Sequence, residues 1–170
     1  MKIKNFIILT LTLIILSCSG SNDHLMYKIE GNKKADFNLE RLDGTILNAE
    51  DLNGSYILVN FWATWCKPCV KEIPSLNNLH KKFNNNENFH VIAINVGQSK
   101  EVIKDFISKN GPIDFTILVD ERMELVNWNV EAIPTTFLID DEGNMLYRTE
   151  GEKDWSSQEF TLFINSVISK

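Results

Sequence analysis

From Asp36 onward, short apolar runs alternate with amphipathic stretches. DFNLERLDGTIL places Asp43-Gly44 between two short apolar runs, a pattern that predicts a hairpin. Tyr56–Trp62, YILVNFW, is interrupted only by Asn60 and predicts a strand buried on both faces. The period then changes. Val70, Ile73, Leu76, Leu79 and Phe83 recur at three- and four-residue spacing, so Lys67–Phe83 predicts a helix with that stripe inward. Pro74 inside it cannot donate to the Val70 carbonyl, and a kink is expected there. NNNEN, Asn84–Asn88, reads as a solvated loop. The pattern continues with a strand at Phe89–Val96 and a helix near Lys100–Lys109, with Val102, Ile103, Phe106 and Ile107 inward. A strand at Phe115–Val119, a short helix around Met123–Trp128 and a strand at Thr135–Ile139 follow. The turn DDEGN leads into Met145–Arg148, and a last helix covers about Ser156–Ile168. Strands alternating with helices, then a hairpin and helix, predict a mixed α/β sheet covered on both faces.

Ahead of this block the chain changes character. Lys2 and Lys4 precede Phe6–Leu16, an 11-residue run with two threonines as its polar residues. A spanning helix needs about 20 residues, so the run fits the apolar region of a signal peptide. It ends in IILSCSG, which resembles the bacterial lipoprotein cleavage box. That resemblance implies removal of residues 1–17 and lipid on Cys18. Ordinary secretion with a leftover Cys, or an uncleaved anchor, are the alternatives. Residues 18–34 are polar with little periodicity and read as a tether spanning on the order of 20–25 Å. Leu25, Met26 and Tyr27 leave open a short edge strand instead.

Cleavage before Cys18 leaves 153 residues, enough for one domain (35–170) with a sizeable core. Losing Lys2 and Lys4 leaves 15 basic against 23 acidic side chains, a formal charge of −8. Without a basic stripe to pair with phosphates, nucleic acid is excluded as a partner. Attraction to anionic lipid is excluded similarly, so membrane association would rest on the lipid anchor. An exported location permits a disulfide.

Two of the three cysteines lie in WCKPC, Trp65–Cys69. As a structural staple, a four-residue ring contributes only about 2 kcal/mol, against about 4.7 for a 100-residue ring. As half of a zinc site it lacks partners, since His24, His80 and His90 do not stand at finger-like spacing. A dead pair kept for packing is a third possibility. The redox reading accounts for the surroundings. The pair follows a buried strand and opens a helix, so Cys66 meets unpaired N–H groups and the positive end of the macrodipole. A thiol of pKa about 8.5 is only about 3% thiolate at pH 7, and a shift to 7 requires roughly 2 kcal/mol. The helix terminus and the Lys67 cation supply much of that. Pro68 needs no hydrogen bond so early in a helix and stiffens the ring. Cys69 lies one turn on, on the same face. Cys66 is thus read as nucleophile and Cys69 as resolving thiol.

FWATWCKPC resembles the thioredoxin superfamily. With DFNLERLDG, LVNFWATWCKPCVKEIP and IPTTFLIDDEG, the region from Asp36 to Ile168 resembles its exported TlpA/ResA-like branch of thiol-disulfide oxidoreductases. The resemblance implies a thioredoxin-like fold: a central mixed sheet flanked by helices, an N-terminal hairpin and a strand–helix insert, for which Phe89–Val119 has length. Thioredoxins proper carry a buried Asp where this chain has Asn60. The exported branch carries an acid three residues after the second Cys, where Glu72 stands. By itself Glu72 reads as a surface carboxylate; the resemblance implies burial, a raised pKa and a role as acceptor of the Cys69 proton. It also implies a cis Ile133-Pro134 bond facing the pair, with Ile133 and Pro134 as a platform for an extended substrate segment. A plain strand-start proline is the alternative. Ala132 stands where the family usually has Gly, and Ala35 where Pro often precedes Asp36.

Of the tryptophans, Trp62 reads as core, Trp65 as a rim contact beside Cys66, and Trp128 and Trp155 as packing. Trp65, Lys67, Pro68, Ile133 and Pro134 form the expected substrate surface. No cofactor beyond the Cys66–Cys69 disulfide is expected. The expected protein is a monomeric lipoprotein, periplasmic or on the outer face. It would reduce disulfides of exported proteins, apocytochromes c among them, and draw electrons from a thiol-disulfide partner. A disulfide oxidase, a peroxiredoxin-like enzyme and a non-catalytic peptide-binding lipoprotein are the competing readings. WCKPC lacks the Pro/Thr-containing loop of the peroxiredoxins.

Overall fold

The computed structural model describes residues 25–124 and 126–169. The expected leader, its cleavage site and Cys18 lie outside the described residues. Among the described residues eight strands form one sheet: β1 Tyr27–Lys28, β2 Asn38–Arg41, β3 Ile46–Asn48, β4 Tyr56–Trp62, β5 Phe89–Val96, β6 Thr116–Asp120, β7 Thr135–Ile139 and β8 Met145–Glu150. Their spatial order is β1-β8-β7-β4-β5-β6-β2-β3. The pairs β4–β5 and β5–β6 are parallel and the other pairs are antiparallel. The described residues also form three α-helices, α1 Lys67–Phe83, α2 Lys100–Asn110 and α3 Gln158–Ile168. This is the mixed α/β sheet that the alternating pattern predicts, in the thioredoxin-like arrangement that the resemblance implies.

The strands at the centre are mostly apolar because both faces are covered. From β4, Leu58 and Trp62 join a core with Leu76, Leu79 and Phe83 of α1, Ile103 of α2 and Phe160, Ile164 and Val167 of α3. The alternate positions Ile57, Val59 and Phe61 join a second core with Phe37, Leu39, Leu47 and Trp128. The period-2 geometry of a strand sends one run of residues to two cores. Asn60 sits on the helix side of β4, and Thr136 of β7 is its register partner.

The predicted hairpin forms at Asp43-Gly44. Gly44 takes φ +92, a conformation glycine adopts freely, and Asp43 Oδ1 accepts from the Thr45 N–H at 2.8 Å. Of the two readings of Leu25–Tyr27, the edge strand is realised. Tyr27 and Lys28 pair with Arg148 and Tyr147, Met26 is 5% exposed, and Lys34 bridges to Asn144.

Three expectations need correction. The buried stripe of α1 is Cys69, Glu72, Leu76, Leu79 and Phe83, while Val70 and Ile73 are half-buried. The helix is rotated so that a cysteine and a carboxylate occupy the first two inward positions, which hydrophobicity alone does not reveal. In α2, Val102 is 44% exposed and only Ile103 is fully buried. Between β6 and β7 the expected short helix shrinks to a single 3₁₀ turn, Val126–Trp128, which follows a positive φ of 55° at Met123. A left-handed residue ends helical propagation at that point.

Candidate active site

Strand β4 ends at Trp62 and the chain turns through Ala63–Trp65 into α1, so the pair stands at the carboxyl end of a parallel strand. Cys66 is the N-cap of α1, and its Sγ accepts from the Cys69 N–H at 3.3 Å. The cap position explains the choice of residues. Pro68, in the first helical turn, lacks an N–H that would have no partner there, and both Lys67 and Pro68 face solvent. Cys66 and Cys69 are joined as a disulfide with Cα atoms 5.3 Å apart. The pair is shielded: Cys66 is 4% and Cys69 1% exposed. The Ile133 carbonyl oxygen lies 3.6 Å from Cys66 Sγ, which brings the β7 loop onto the pair across 67 positions of sequence. The Ile133-Pro134 bond is cis, and Pro134 is buried while Ile133 is half-buried.

Glu72, one turn beyond Cys69, is 0% exposed. Its Oε1 accepts from the Lys153 N–H at 2.7 Å and from Trp155 Nε1 at 3.0 Å, and its Oε2 accepts from Asn60 Nδ2 at 3.3 Å. Asn60 Nδ2 also donates to Thr136 Oγ1 at 2.9 Å. Burial pushes the Glu72 carboxyl up to about 7, and the three donors oppose that shift without cancelling it. A buried acid of that affinity changes protonation near neutral pH. The surface reading of Glu72 is thereby replaced.

The structure gathers Trp65, Cys66, Cys69, Glu72, Ile133 and Pro134 around one end of the sheet. Trp65 stands 68% exposed at the rim. Beside it opens a groove of about 520 Å³ lined by Phe61, Trp65, Val96, Val130 and Ile133, with Met123 and Glu131 at its edges. Trp62 and Trp128 are core residues, as expected. Trp155 packs on Phe160, with ring centroids 4.5 Å apart, and is also a hydrogen-bond donor to Glu72. No local pattern signals that second role, nor the part played by the Lys153 amide. Both belong to a loop some 80 residues from Glu72. Among the described residues, no group of three or more His, Cys, Asp or Glu is arranged to hold a metal.

Comparison with known proteins agrees with this geometry. The AhpC/TSA family matches residues 31–148. The thiol-disulfide oxidoreductase ResA of Bacillus subtilis (strain 168) is 37% identical over 118 residues, which cover 69% of this chain and 65% of that protein. ResA of Bacillus thuringiensis (strain Al Hakam) is 30% identical over 151 residues, covering 83% of this chain and 86% of that protein. Among solved structures, StoA from Bacillus subtilis superposes with a TM-score of 0.62 at 25% identity, covering 72% of this chain and 92% of that one. A thiol:disulfide interchange protein of the thioredoxin family from Chlorobium tepidum TLS gives a TM-score of 0.64 at 26% identity, covering 75% and 94%. Helix-capped cysteine pair, thioredoxin-like sheet and relatives converge: the chain belongs to the AhpC/TSA family and is a thiol-disulfide oxidoreductase of the ResA type.

Proposed function

We propose that this protein is a membrane-tethered reductase of disulfides in exported proteins, with Cys66 as nucleophile, Cys69 as resolving thiol and Glu72 as proton acceptor. The observation that carries the reading is the placement of Cys66 Sγ at the cap of α1, where it accepts the Cys69 N–H. In the dithiol form the same N–H and the helix dipole favour a thiolate. That thiolate attacks one sulfur of a substrate disulfide. The substrate S–S bond breaks, the other substrate sulfur leaves as thiolate, and a mixed disulfide forms on Cys66. Glu72, three residues along the same helix face, takes the Cys69 proton. The Cys69 thiolate then attacks Cys66 Sγ and frees the second substrate sulfur. Two electrons pass to the substrate, its sulfurs take up two protons, and the chain is left as the Cys66–Cys69 disulfide. A thiol donor of the same compartment resets it.

Substrate recognition is assigned to Trp65, Lys67, Pro68, Ile133 and Pro134. An extended substrate segment pairs with the backbone at Ile133 while the neighbouring groove takes an apolar side chain. Lipid on Cys18, after removal of residues 1–17, holds residues 35–170 outside the cytoplasm at the periplasmic or outer face. Apocytochrome c, whose haem-attachment cysteines must be reduced in an oxidising compartment, is the substrate class proposed.

Insulin-disulfide reduction tests the activity: the wild-type chain should reduce insulin and Cys66→Ser should not. Absence of turnover by the wild-type chain would leave only peptide binding. The direction is read from the Cys66–Cys69 reduction potential. A value near that of strong oxidants, about −120 mV, would overturn the reductase assignment. Substrates trapped on Cys69→Ser identify the partner.

A further inference from the structure

The turn that delivers Cys66 is gripped from the loop that follows β5. Thr64 stands two residues before Cys66, and its backbone N–H donates to Gln98 Oε1 at 2.8 Å. Gln98 Nε2 donates back to Thr64 Oγ1, also at 2.8 Å. One side chain thus holds Thr64 by both main chain and hydroxyl, from 34 positions away in sequence. The same Oε1 accepts from Nδ2 of Asn95, a fully buried residue of β5 in register with Trp62. The Gln98 amide has one usable orientation. A backbone N–H can only donate, so oxygen must face Thr64 N, and reversal would set two donors against each other. The base of the grip is itself fixed. Gly97 turns the chain at φ +69, and its N–H donates to the Asp120 carbonyl at 2.9 Å, tying it to β6.

These contacts touch neither reacting sulfur. Nor are they needed to join the strands, since the β4–β5 ladder already runs from Tyr56 to Trp62. What they hold is the turn Ala63–Trp65. Its last link is the Cys66 N–H donating to the Ala63 carbonyl at 3.1 Å. In the oxidised protein the disulfide itself keeps Cys66 beside Cys69. Once that bond is reduced the covalent tie is gone, and Cys66 is held over the helix end by the Val70 N–H, which donates to its carbonyl at 3.0 Å, and by the turn behind it.

We propose that Gln98 is a positioning residue for the nucleophile: by holding Thr64 against the end of β5, it keeps Cys66 at the cap of α1 in the dithiol form. The inference rests on Cys66 being the attacking thiol. Gln98 is half-buried in a loop, so its replacement does not empty the core. Gln98→Met keeps the length of the side chain and loses all three hydrogen bonds; Gln98→Ala removes the reach as well.

The test is the pH dependence of iodoacetamide alkylation of the reduced chain, resolved by site with mass spectrometry, alongside thermal unfolding of the oxidised chain. Both variants should alkylate Cys66 roughly two- to five-fold more slowly than wild type at pH 7, because less of it is thiolate. The difference should close above about pH 9, and the oxidised variants should melt close to wild type. Profiles that superimpose on wild type overturn the proposal. So does slowing by one factor at every pH, which means altered access and not an altered cap. A wild-type chain alkylated first at Cys69 removes instead the reading of Cys66 on which the inference rests.

Discussion

At Glu72 a carboxylate occupies an inward helix position that a leucine would fill at less cost, and its surroundings define what it does. Two donors converge on one oxygen and one on the other, yet burial still lifts its pKa from 4.5 to about 7. The sign of the linkage follows. The folded chain keeps this proton between pH 4.5 and 7 while the unfolded chain loses it. Stability is therefore fully retained below about 4.5, falls as pH rises to about 7, and stays reduced above. The fall is on the order of 3 kcal/mol. Glu72→Gln removes this dependence: Gln Oε1 still accepts from Lys153 and Trp155, and rotation of the Asn60 amide offers an oxygen to its NH₂. Urea unfolding of the oxidised protein should show the variant gaining on wild type between pH 5 and pH 8. Parallel curves would show that Glu72 does not titrate in that window. In the proposed cycle the same variant resolves the mixed disulfide on the order of 10²-fold more slowly, as expected for a lost general base. Release of a dye-labelled mixed disulfide measures it.

Between elements, the loop from β8 to α3 works as a strap across α1. Glu152 pairs with Lys71 at 2.7 Å on the surface, and Trp155 N–H donates to Ser75 Oγ at 3.2 Å beneath it. Lys153 and Trp155 reach Glu72 from the same loop. The exposed ion pair is screened and contributes little; the buried donors set the acid. Trp155→Phe keeps the ring that packs on Phe160 and deletes the donor. A carboxylate with one donor fewer holds its proton more tightly, so the Glu72 titration should move upward, and any pH–rate limb it governs should move with it. A carboxyl-sensitive infrared titration checks this, and an unmoved midpoint rules out Trp155 as a determinant.

Across the whole molecule, two cores share one sheet, and both reach beyond the segment that alternates most clearly. Met26 belongs to the helix-side core and is 5% exposed, although it precedes the first long strand by some thirty positions. Met26→Ala should cost about 2–5 kcal/mol, as for other buried truncations, measured as a lower denaturant midpoint. A residue of a free tether would show no cost. On the other face Trp128 meets Phe61 and Phe137 at 5.2 and 5.1 Å between centroids and donates from Nε1 to the Asp36 carbonyl at 2.9 Å. Trp128→Ala should therefore destabilise by about 3–5 kcal/mol. Its indole helps fill the second face, which among the described residues is covered by the β2–β3 hairpin and short 3₁₀ turns, not by a long helix.

Local pattern by itself determined the order and type of the main elements, the hairpin at Asp43-Gly44, and the cysteine pair at a helix start. These depend on near neighbours: two- and four-residue periods, a turn dipeptide, and a cap whose chemistry lies within four residues. The resemblance to the exported branch carried Glu72 and the cis Ile133-Pro134 bond, which no local rule supplies. Tertiary structure decided how α1 is rotated, so that Val70 and Ile73 yield the inward places to Cys69 and to Glu72, whose burial the resemblance had implied and local pattern had not. It also decided that a backbone amide, an indole and an asparagine from distant segments meet on Glu72, and that Gln98 holds the turn before Cys66. Those partners lie 12 to 83 positions apart, so they become neighbours only when the sheet assembles. Hydrogen bonding acts over about 3 Å of space, and no distance along the sequence encodes it.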